Sequence, residues 1–290
     1  MLKQKLEKEL KEKLSNKIIL ITGGAGSLGT SLSEKILHYP INTLRILDIN
    51  EHSLFTLNRK LNDKRVRPLL GNILDEDRLK MACKGVDIII HTAAIKNIEI
   101  SEFNPIETID VNINGTVNLI KTVIELKPKI FLNISTDKAA DASTLYGSTK
   151  QLGERLTSWA GSHINSTKFA SVRLGNIMNS KGNVFEVWNE EIKNKKPLSI
   201  THPNMERFFF TNEEAVNFIF RCLLLSKNGE IYVPKMSSYK IIDLAKKISK
   251  KHKVIGLRPG EKMKEILIST DEIKQAKSKS DMWIISPVTG

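Results

Sequence analysis

Tyr146 and Lys150 occur in the segment Tyr-Gly-Ser-Thr-Lys, and this spacing would place a phenol and an ammonium on one face of a helix. A tyrosine with an ordinary pKa of about 10 is a poor base near neutral pH. A fixed cation beside the ring would lower the pKa of Tyr146 and favour the phenolate. The pair therefore predicts a tyrosine that takes a proton from a bound substrate.

A glycine-rich turn lies far upstream of this pair. The segment Ile-Thr-Gly-Gly-Ala-Gly-Ser-Leu-Gly at residues 21–29 follows a β-branched run and opens a helical pattern. Glycines let backbone N–H groups approach a pyrophosphate, and a helix N-terminus offers unpaired donors and the positive end of the helix dipole. The turn therefore predicts a nicotinamide dinucleotide site, and with Tyr146 it predicts hydride chemistry. The residues assigned to the turn are Thr22, Gly23, Gly26, Ser27, Leu28 and Gly29.

Asp48 ends the second predicted strand, about 20 residues after the turn, where a carboxylate can accept hydrogen bonds from ribose hydroxyls. Its charge would repel the additional phosphate of NADP, so NAD is favoured as the cofactor. Arg45 and Lys35 lie near enough in sequence to leave an NADP site open, and Asp48 could instead cap a turn. Asn72, after the third strand, is placed to reach the adenine or to stabilise a turn.

The elements that would position these residues alternate between strands and helices. Such alternation requires right-handed crossovers and predicts an α/β fold, a doubly wound parallel sheet of the Rossmann type. Predicted strands cover residues 18–22, 44–48, 66–70, 86–91, 129–134 and 170–174, and predicted helices cover 28–37, 53–61, 76–83, 111–126 and 146–158.

Beyond residue 175, glycines and prolines break the pattern, which predicts a small C-terminal substrate-binding lobe. Residues 211–233 contain a regular helix and strand that we expect to return to the main sheet. The Rossmann domain would then span residues 17–174 together with 211–233. The lobe would combine 175–210 with 234–290.

An amphipathic helix is predicted over residues 1–16. Leu2, Leu6, Leu10 and Leu14 recur every four residues among Lys and Glu, which gives a narrow apolar stripe. The stripe would pack on the protein's own body or on a partner subunit, and a membrane-surface helix is the alternative.

Composition limits the class of protein. The 290 residues are 40% hydrophobic, enough for one large core. No apolar run has the length of a membrane span and the N-terminus is highly charged, so we expect a cytoplasmic protein without stable membrane insertion. The formal net charge of +13 is spread along the chain without a nucleic-acid recognition pattern, which favours anionic small substrates. Cys83 and Cys222 have neither metal-ligand nor disulfide spacing, so we assign them to the core and predict no metal site.

The glycine turn and the Tyr-x-x-x-Lys pair together resemble the extended short-chain dehydrogenase/reductase family. More narrowly, the chain is similar to the UDP-N-acetylglucosamine 4,6-dehydratases of the polysaccharide-biosynthesis group. The similarity rests on His-Thr-Ala-Ala-Ile-Lys at 91–96, Asn-Ile-Asn-Gly-Thr at 112–116, Ile-Ser-Thr-Asp-Lys-Ala at 134–139, Gly-Asn at 175–176, Thr-His-Pro-x-Met-x-Arg-Phe-Phe at 201–209 and Gly-Leu-Arg-Pro-Gly-Glu-Lys at 256–262.

The resemblance implies a lyase that removes water from a UDP-sugar and recycles a tightly bound cofactor. The cofactor would take a hydride from C4 of UDP-N-acetylglucosamine while Tyr146, beside Lys150, takes the hydroxyl proton. The C4 ketone acidifies the hydrogen at C5. Lys138 would be the base at C5 and Asp137 the acid at the C6 hydroxyl, beside Thr136, before the hydride returns to C6. A surface ion pair is the alternative interpretation of Asp137 and Lys138.

The same resemblance assigns the binding residues. The pyrophosphate would meet Asn176 and two arginines, whose planar forks match phosphate oxygens, and the uridine ribose would meet Glu261. His91 is interpreted as a satisfied core histidine, and a homo-oligomer is expected. The cofactor site would gain Ile73, Ala93, Ala94, Lys96, Asn112, Tyr146 and Lys150, and the substrate site would comprise Lys96, Asn176, Arg207, Arg258 and Glu261.

Three positions depart from the family pattern. Asn97 stands where His is usual, Asp141-Ala142 where Asn-Pro is usual, and Asn72 where Asp is usual. The first two concern the loop over the sugar, so the identity of the sugar stays open. The stereochemistry at C5 also stays open, because it depends on the face to which the proton returns, and the sequence does not fix that geometry. A nucleotide-sugar 4-epimerase would use the same turn and Tyr146 without needing Lys138, and a non-catalytic protein that senses NAD is a further alternative.

Overall fold

The computed structural model describes residues 2–178, 182–258 and 260–287, without the side chains of residues 2 and 3. The α-helices are α1 (Leu2–Leu14), α2 (Ser27–Ile36), α3 (Glu51–Leu61), α4 (Glu76–Cys83), α5 (Ile98–Phe103), α6 (Pro105–Ile109), α7 (Gly115–Leu126), α8 (Leu145–His163), α9 (Val184–Lys193), α10 (Asn212–Leu225), α11 (Ile241–Ile248) and α12 (Thr270–Gln275). The strands are β1 (Ile18–Thr22), β2 (Thr43–Asp48), β3 (Val66–Leu70), β4 (Ile88–His91), β5 (Ile130–Thr136), β6 (Lys168–Leu174), β7 (Asn176–Ile177), β8 (Leu198–Ile200), β9 (Glu206–Phe210), β10 (Glu230–Pro234), β11 (Ser238–Lys240), β12 (His252–Val254), β13 (Ala276–Ser278) and β14 (Met282–Ile285).

The central sheet has the strand order β13-β14-β10-β6-β5-β4-β1-β2-β3. All pairs from β10 to β3 are parallel, whereas β14 and β13 are antiparallel at one edge. The succession β3-β2-β1-β4-β5-β6 is that of a doubly wound sheet, in which the winding reverses between β1 and β4. The predicted fold class is therefore confirmed.

Burial along the strands follows their place in the sheet. Every residue of β4 and β5 is buried, because helices cover both faces of a parallel sheet. β3 lies at the edge and is half exposed, and the edge tolerates Pro68, which lacks an N–H for a further strand. The central strands β4 and β5 are thus enclosed on both faces, which fixes the position of the residues at their carboxyl ends.

A smaller lobe lies beside the carboxyl ends of these strands. It contains the sheets β11-β9-β7 and β12-β8, with α9 and α11 packed around them. Its core includes the fully buried Trp188 with Leu198, Met205, Phe209 and Ile241. This lobe has its own hydrophobic cluster and can therefore form one wall of a site.

Residues 276–285 differ from the expectation, because they were assigned to the lobe. They form β13 and β14 of the central sheet, where β14 pairs with β10. β10 itself pairs with β6, in line with a segment that returns to the main sheet. The position of a short strand without clear alternation depends on the strand with which it pairs. The partner of β14 lies about 50 residues upstream, so no local sequence pattern identifies it.

The N-terminal helix α1 packs on the protein's own body. Leu10 and Leu14 are buried in the core with residues of α2 and α10, and Glu7 accepts a hydrogen bond of 2.8 Å from the Tyr39 hydroxyl. Leu2 of the predicted stripe lies outside the described side chains. Cys83 and Cys222 are both free and buried, as predicted. In the described part of the chain, no helix combines the length and apolarity needed to span a bilayer.

Candidate active site

A cavity of about 740 Å³ lies at the carboxyl ends of the parallel strands, between the central sheet and the lobe. It brings together nearly all the residues predicted from the sequence. Thr22, Asn112 and Asp137 are the exceptions, since they are buried and do not line it. The predicted residues on its wall are Gly23, Gly26, Ser27, Leu28, Gly29, Asp48, Asn72, Ile73, Ala93, Ala94, Lys96, Thr136, Lys138, Tyr146, Lys150, Asn176, Arg207, Arg258 and Glu261.

The glycine turn joins β1 to α2 at one end of the cavity. Gly23 has a φ of +65°, and a Cβ at this position would lie 2.6 Å from the Cα of Ala93, so only glycine fits where the β1 and β4 loops meet. Helix α2 follows Gly26 and has no side-chain cap among the described residues. The start of α2 therefore turns the positive end of its helix dipole toward the cavity wall, where an anionic group can bind.

Asp48 takes the turn-stabilising role that was one of its two predicted roles, and it also lines the cavity. Its Oδ2 accepts from the Ala25 N–H at 3.0 Å and its Oδ1 from the Asn50 N–H at 2.9 Å, so it stabilises the turn. Each carboxylate oxygen can still accept a further hydrogen bond. Asn72 is similar, because it lines the cavity while its Oδ1 accepts from the Leu74 N–H at 3.0 Å.

His91 is a satisfied core histidine, as predicted. Its Nδ1 lies 2.7 Å from the Thr22 hydroxyl and its Nε2 lies 3.1 Å from the Thr116 hydroxyl. Burial, with a contribution from the nearby Lys150, lowers the pKa of His91 to about 3. Thr22 therefore supports a neutral imidazole behind the cavity wall.

Asn112 fastens the loop after β4 to helix α8. Its Nδ2 donates to the Ile95 carbonyl at 2.9 Å and to the Thr149 hydroxyl at 3.0 Å, and its Oδ1 accepts from the Ile95 N–H at 2.8 Å. It lies in a π-helical turn, Asp110–Asn114, that interrupts the helix expected over residues 111–126. Asn112 thus positions Ile95, which lines the cavity.

Tyr146 and Lys150 lie in the first turns of α8, and both line the cavity. Two contacts fix the start of this helix: the Thr144 hydroxyl accepts from the Gly147 N–H at 3.1 Å, and Glu102 accepts from the Leu145 N–H at 2.8 Å. The pair is therefore held on one helix face, as its spacing predicted.

Burial raises the pKa of Tyr146 to about 12, although Lys138 and a hydrogen bond with Thr136 act in the opposite direction. The sequence predicted a pKa lowered by Lys150 together with an oxidised nicotinamide. The cation that acts on the phenol is instead Lys138, and the loss of solvent outweighs it. Burial also lowers the pKa of Lys150 to about 8, opposed by Glu154 one turn further along α8.

A compact group of charges, which we call the cavity cluster, consists of Asp137, Lys138 and Glu265. Lys138 Nζ lies 3.0 Å from Asp137 Oδ1 and 3.7 Å from Glu265 Oε1. The side chains are 0%, 14% and 7% exposed for Asp137, Lys138 and Glu265, so the alternative of a surface ion pair is wrong. Burial opposes the ammonium, but the two carboxylates outweigh it and raise the pKa of Lys138.

Thr136 connects the cavity cluster to Tyr146. Its hydroxyl donates to Asp137 Oδ1 at 2.9 Å, it interacts with the Tyr146 hydroxyl, and it lines the cavity. Asp137 was expected to face the substrate directly, but its carboxylate is enclosed behind Thr136 and Lys138. Its other oxygen, Oδ2, has no hydrogen-bond partner among the described residues.

The lobe contributes Arg207 and Glu261 to the opposite wall. Arg207 Nη2 lies 3.7 Å from Glu261 Oε1, and Nη1 donates to the Glu206 carbonyl at 2.8 Å. The Arg258 N–H donates to Glu261 Oε2 at 3.2 Å, while Asn176 donates to the Phe208 carbonyl at 3.0 Å. Four predicted substrate residues are thus near one another; Pro259 of the same motif lies outside the described residues.

The positions that depart from the family pattern have defined contacts. Asp141 pairs with Lys262, and the neighbouring Ser143 hydroxyl donates to the Gly260 carbonyl at 3.1 Å. Asn97 caps α5 by accepting from the Ile100 N–H at 3.0 Å and also lines the cavity. The loop over the cavity is therefore tied to the C-terminal segment.

Sequence reasoning missed Glu265 and Glu102. Glu265 follows a recognised motif but has no spacing relation to Lys138, and Glu102 lies on a short helix whose role depends on contact with α8. No local pattern identifies either residue, because each acts across more than 40 positions of the chain.

The strand order, the glycine turn and the Tyr146–Lys150 pair define the class of this protein as an extended short-chain dehydrogenase/reductase. The family model described as polysaccharide biosynthesis protein matches residues 19–287, and the chain belongs to that family.

Individual relatives span most of the chain. An uncharacterized membrane protein of Methanocaldococcus jannaschii is 39% identical over 94% of this chain and 86% of its own length. A UDP-N-acetylglucosamine 4,6-dehydratase (inverting) of Campylobacter jejuni is 36% identical over 94% of this chain and 84% of its own. A UDP-glucose 4-epimerase of Rickettsia bellii is 32% identical over 95% and 84%. The X-ray structure of Pen from Bacillus thuringiensis is 34% identical, with a TM-score of 0.91 over 95% of this chain and 89% of that one.

Proposed function

We propose that this protein is a nucleotide-sugar 4,6-dehydratase that converts UDP-N-acetylglucosamine to a UDP-4-keto-6-deoxy-hexosamine for surface glycan synthesis. The observation that carries the proposal is the buried Asp137–Lys138 pair beside Tyr146. Oxidation at C4 alone needs only the tyrosine, whereas elimination of water needs a further base and acid. The similarity to the Campylobacter jejuni dehydratase supports the same reaction.

The residues present fit a nicotinamide dinucleotide. The uncapped start of α2 suits a pyrophosphate, and Asp48 retains acceptor capacity for ribose hydroxyls. NAD is favoured over NADP because Arg45 donates to the carbonyls of Ala82 and Lys84, and Lys35 pairs with Glu7. When bound, the cofactor would accept a hydride from C4 and later return it to C6.

Tyr146 takes the C4 hydroxyl proton as the C4 ketone forms. Because its pKa is about 12 among the protein groups, a further positive charge is needed to favour the phenolate, and an oxidised nicotinamide carries one. Lys138 in its neutral form then removes the proton at C5. The electron pair forms the C5–C6 double bond, and the C6 hydroxyl leaves with a proton as water.

The acid for the C6 hydroxyl is Asp137, acting through Thr136. The Thr136 hydroxyl contacts Asp137 Oδ1 and lines the cavity, so it can pass a proton outward while it receives one from a protonated Asp137. After the elimination Lys138 has gained one proton and Asp137 has lost one, which restores the ion pair seen in the structure. C5 then takes back one of the two protons held by Lys138 and Tyr146, and the other returns to Asp137. The hydride would return to C6, so the cycle closes without net oxidation.

Arg207, Arg258 and Glu261 are the proposed anchor for the UDP moiety. Arg207 is 7% exposed and is held by the Glu206 carbonyl and Glu261, so its guanidinium is oriented before the substrate binds. Residues 175–210 and 234–275 would then form the substrate-binding lobe. The expected homo-oligomer and cytoplasmic location stay predictions. With UDP bound by Arg207, Arg258 and Glu261, the sugar would lie toward Tyr146 and Lys138.

The test is incubation of the purified protein with UDP-N-acetylglucosamine and NAD, followed by mass spectrometry. We expect a product lighter by one water, and we expect Lys138→Ala to stop its formation by removing the base at C5. Lys129→Ala is the matched control, because Lys129 pairs with Asp87 at the opposite end of β5 and is 66% exposed. Proton NMR couplings of the product ring assign the configuration at C5.

A nucleotide-sugar 4-epimerase is the second candidate, and the similarity to the Rickettsia bellii epimerase favours it. That reaction would give an isomer of unchanged mass and would persist in Lys138→Ala. Such a result would contradict the dehydratase proposal. Binding of NAD without turnover of any UDP-sugar would instead indicate a non-catalytic sensor.

A further inference from the structure

We infer that Glu265 is a positioning residue that orients Lys138 and acts as its permanent counter-ion during elimination. This inference rests on the proposed function. Glu265 Oε1 lies 3.7 Å from Lys138 Nζ, and the two side chains are 7% and 14% exposed. At this distance and with so little solvent, the carboxylate affects both the place and the basicity of the amine.

The backbone around Glu265 is fixed on both sides. On one side Lys264 bridges Glu206 in β9, and the Glu206 N–H donates to the Met263 carbonyl at 2.9 Å. On the other side the Leu267 carbonyl accepts from the buried Arg173 at 2.8 Å. A carboxylate held in this way restricts the long and otherwise flexible side chain of Lys138.

The charges around Lys138 show why a second carboxylate is needed. Asp137 lies on the same segment, Tyr146 approaches from α8, Arg207 from β9, and Glu265 from the C-terminal segment. Asp137 must carry a proton to act as an acid, and in that state it no longer offers a negative charge. Among the described residues, Glu265 is then the carboxylate that still pairs with Lys138.

Glu265 therefore stabilises the charge that develops on Lys138 as the C5 proton is transferred. The proton moves from C5 to Nζ, the electron pair enters the C5–C6 bond, and the C6 oxygen leaves as water with the proton from Asp137. Glu265 neither gains nor loses a proton. Its effect is to make the neutral amine a stronger base and to hold Nζ in place.

The experiment compares Glu265→Gln with wild type in the water-loss assay across pH. We expect the plateau of kcat to fall roughly tenfold, because the amine is less well placed and less basic, with little change in KM. The acid limb of the profile should move to lower pH by about one unit, since loss of a carboxylate lowers the pKa of Lys138. Glu265→Asp keeps the negative charge, so the acid limb of its pH profile should lie at the same pH as in wild type.

Asp271→Asn is the matched control. It removes the Lys274–Asp271 pair of 2.9 Å in the same C-terminal segment, where the Asp271 side chain is 88% exposed and does not contact Lys138, and it should leave the profile unchanged. A lower plateau in Glu265→Gln with an unmoved limb would overturn the inference, because a merely structural defect gives that result.

A second measurement does not depend on turnover. The pH dependence of Lys138 acetylation by acetic anhydride, followed by mass spectrometry of the proteolytic peptide that contains Lys138, reports the pKa of this amine in wild type and in Glu265→Gln. We expect the variant to react at lower pH. If wild type releases no water but the acetylation curve still shifts, the proposed function fails while the Glu265–Lys138 coupling stands; an unshifted curve overturns the coupling itself.

Discussion

Two buried groups of charges adjoin helix α8, and they differ in how completely their hydrogen-bonding groups are satisfied. The first is the cavity cluster of Asp137, Lys138 and Glu265. The second, which we call the rear cluster, consists of Arg173, Glu154 and Glu272. Arg173 Nε and Nη2 donate to Glu154 at 3.0 and 2.6 Å, and Nη2 and Nη1 donate to Glu272 at 2.8 and 3.0 Å.

In the rear cluster, every hydrogen-bond donor of the Arg173 guanidinium has a partner. With the Leu267 carbonyl added, each N–H of the Arg173 guanidinium has an acceptor, and the side chain is 0% exposed. In the cavity cluster, Asp137 Oδ2 has no partner among the described residues, and Lys138 lines the cavity. The two clusters are therefore similarly buried but suited to different roles. Only the cavity cluster, which is incompletely satisfied, has protons and lone pairs available for chemistry.

The largest expected effect comes from Asp137→Asn, which should separate activity from stability. The amide keeps the shape of the side chain but cannot supply an acid proton, so we expect kcat for water loss to fall roughly 10³-fold. Because Lys138 keeps Glu265 as a partner, no buried charge is left unpaired, and the free energy of unfolding should fall by less than the about 3–5 kcal/mol expected when a buried pair is broken. Steady-state kinetics and urea denaturation measure the two quantities; a large loss of stability would place the cavity cluster in the same class as the rear cluster.

Arg173→Met should give the opposite result. It leaves Glu154 and Glu272 without their cation, so we expect the free energy of unfolding to fall by about 3–5 kcal/mol. The kcat per folded molecule should fall much less than in Asp137→Asn, because Arg173 does not line the cavity. Adding Glu154→Gln and Glu272→Gln should recover part of the stability. Failure of this recovery would show that packing rather than charge pairing dominates at Arg173.

Lys150 lies on α8 one turn before Glu154 of the rear cluster and should give the smallest effect, a pH dependence of stability. Its folded-state pKa of about 8 lies below its ordinary value of 10.5, so between these values the unfolded chain binds more protons. The free energy of unfolding of wild type should therefore rise by about 1–3 kcal/mol relative to that of Lys150→Met as the pH rises from about 8 to about 10.5. Urea denaturation of both proteins across this pH range tests whether the difference in their free energies of unfolding rises with pH. A constant difference would mean that the pKa of Lys150 is not lowered in the folded protein.

Much of the central sheet could be predicted because local sequence patterns identify its strands. The runs that became β1, β2 and β3 were placed correctly, since buried parallel strands are short β-branched segments separated by helices. β13 and β14 could not be placed, because their position depends on pairing with β10. The π-turn at Asp110–Asn114 was also invisible, since it interrupts an otherwise regular helical pattern.

The candidate site shows the same division. The glycine turn, Asp48 and the Tyr146–Lys150 pair have spacings that follow from a strand–turn–helix and from one helix face, so the sequence by itself determined that they belong to a dinucleotide-type cavity. The tertiary structure alone decided that Asp137 is enclosed, that Lys138 is the cation acting on Tyr146, and that Glu265 completes the cluster. Burial and contacts between distant segments set these properties, and neither is encoded in local spacing.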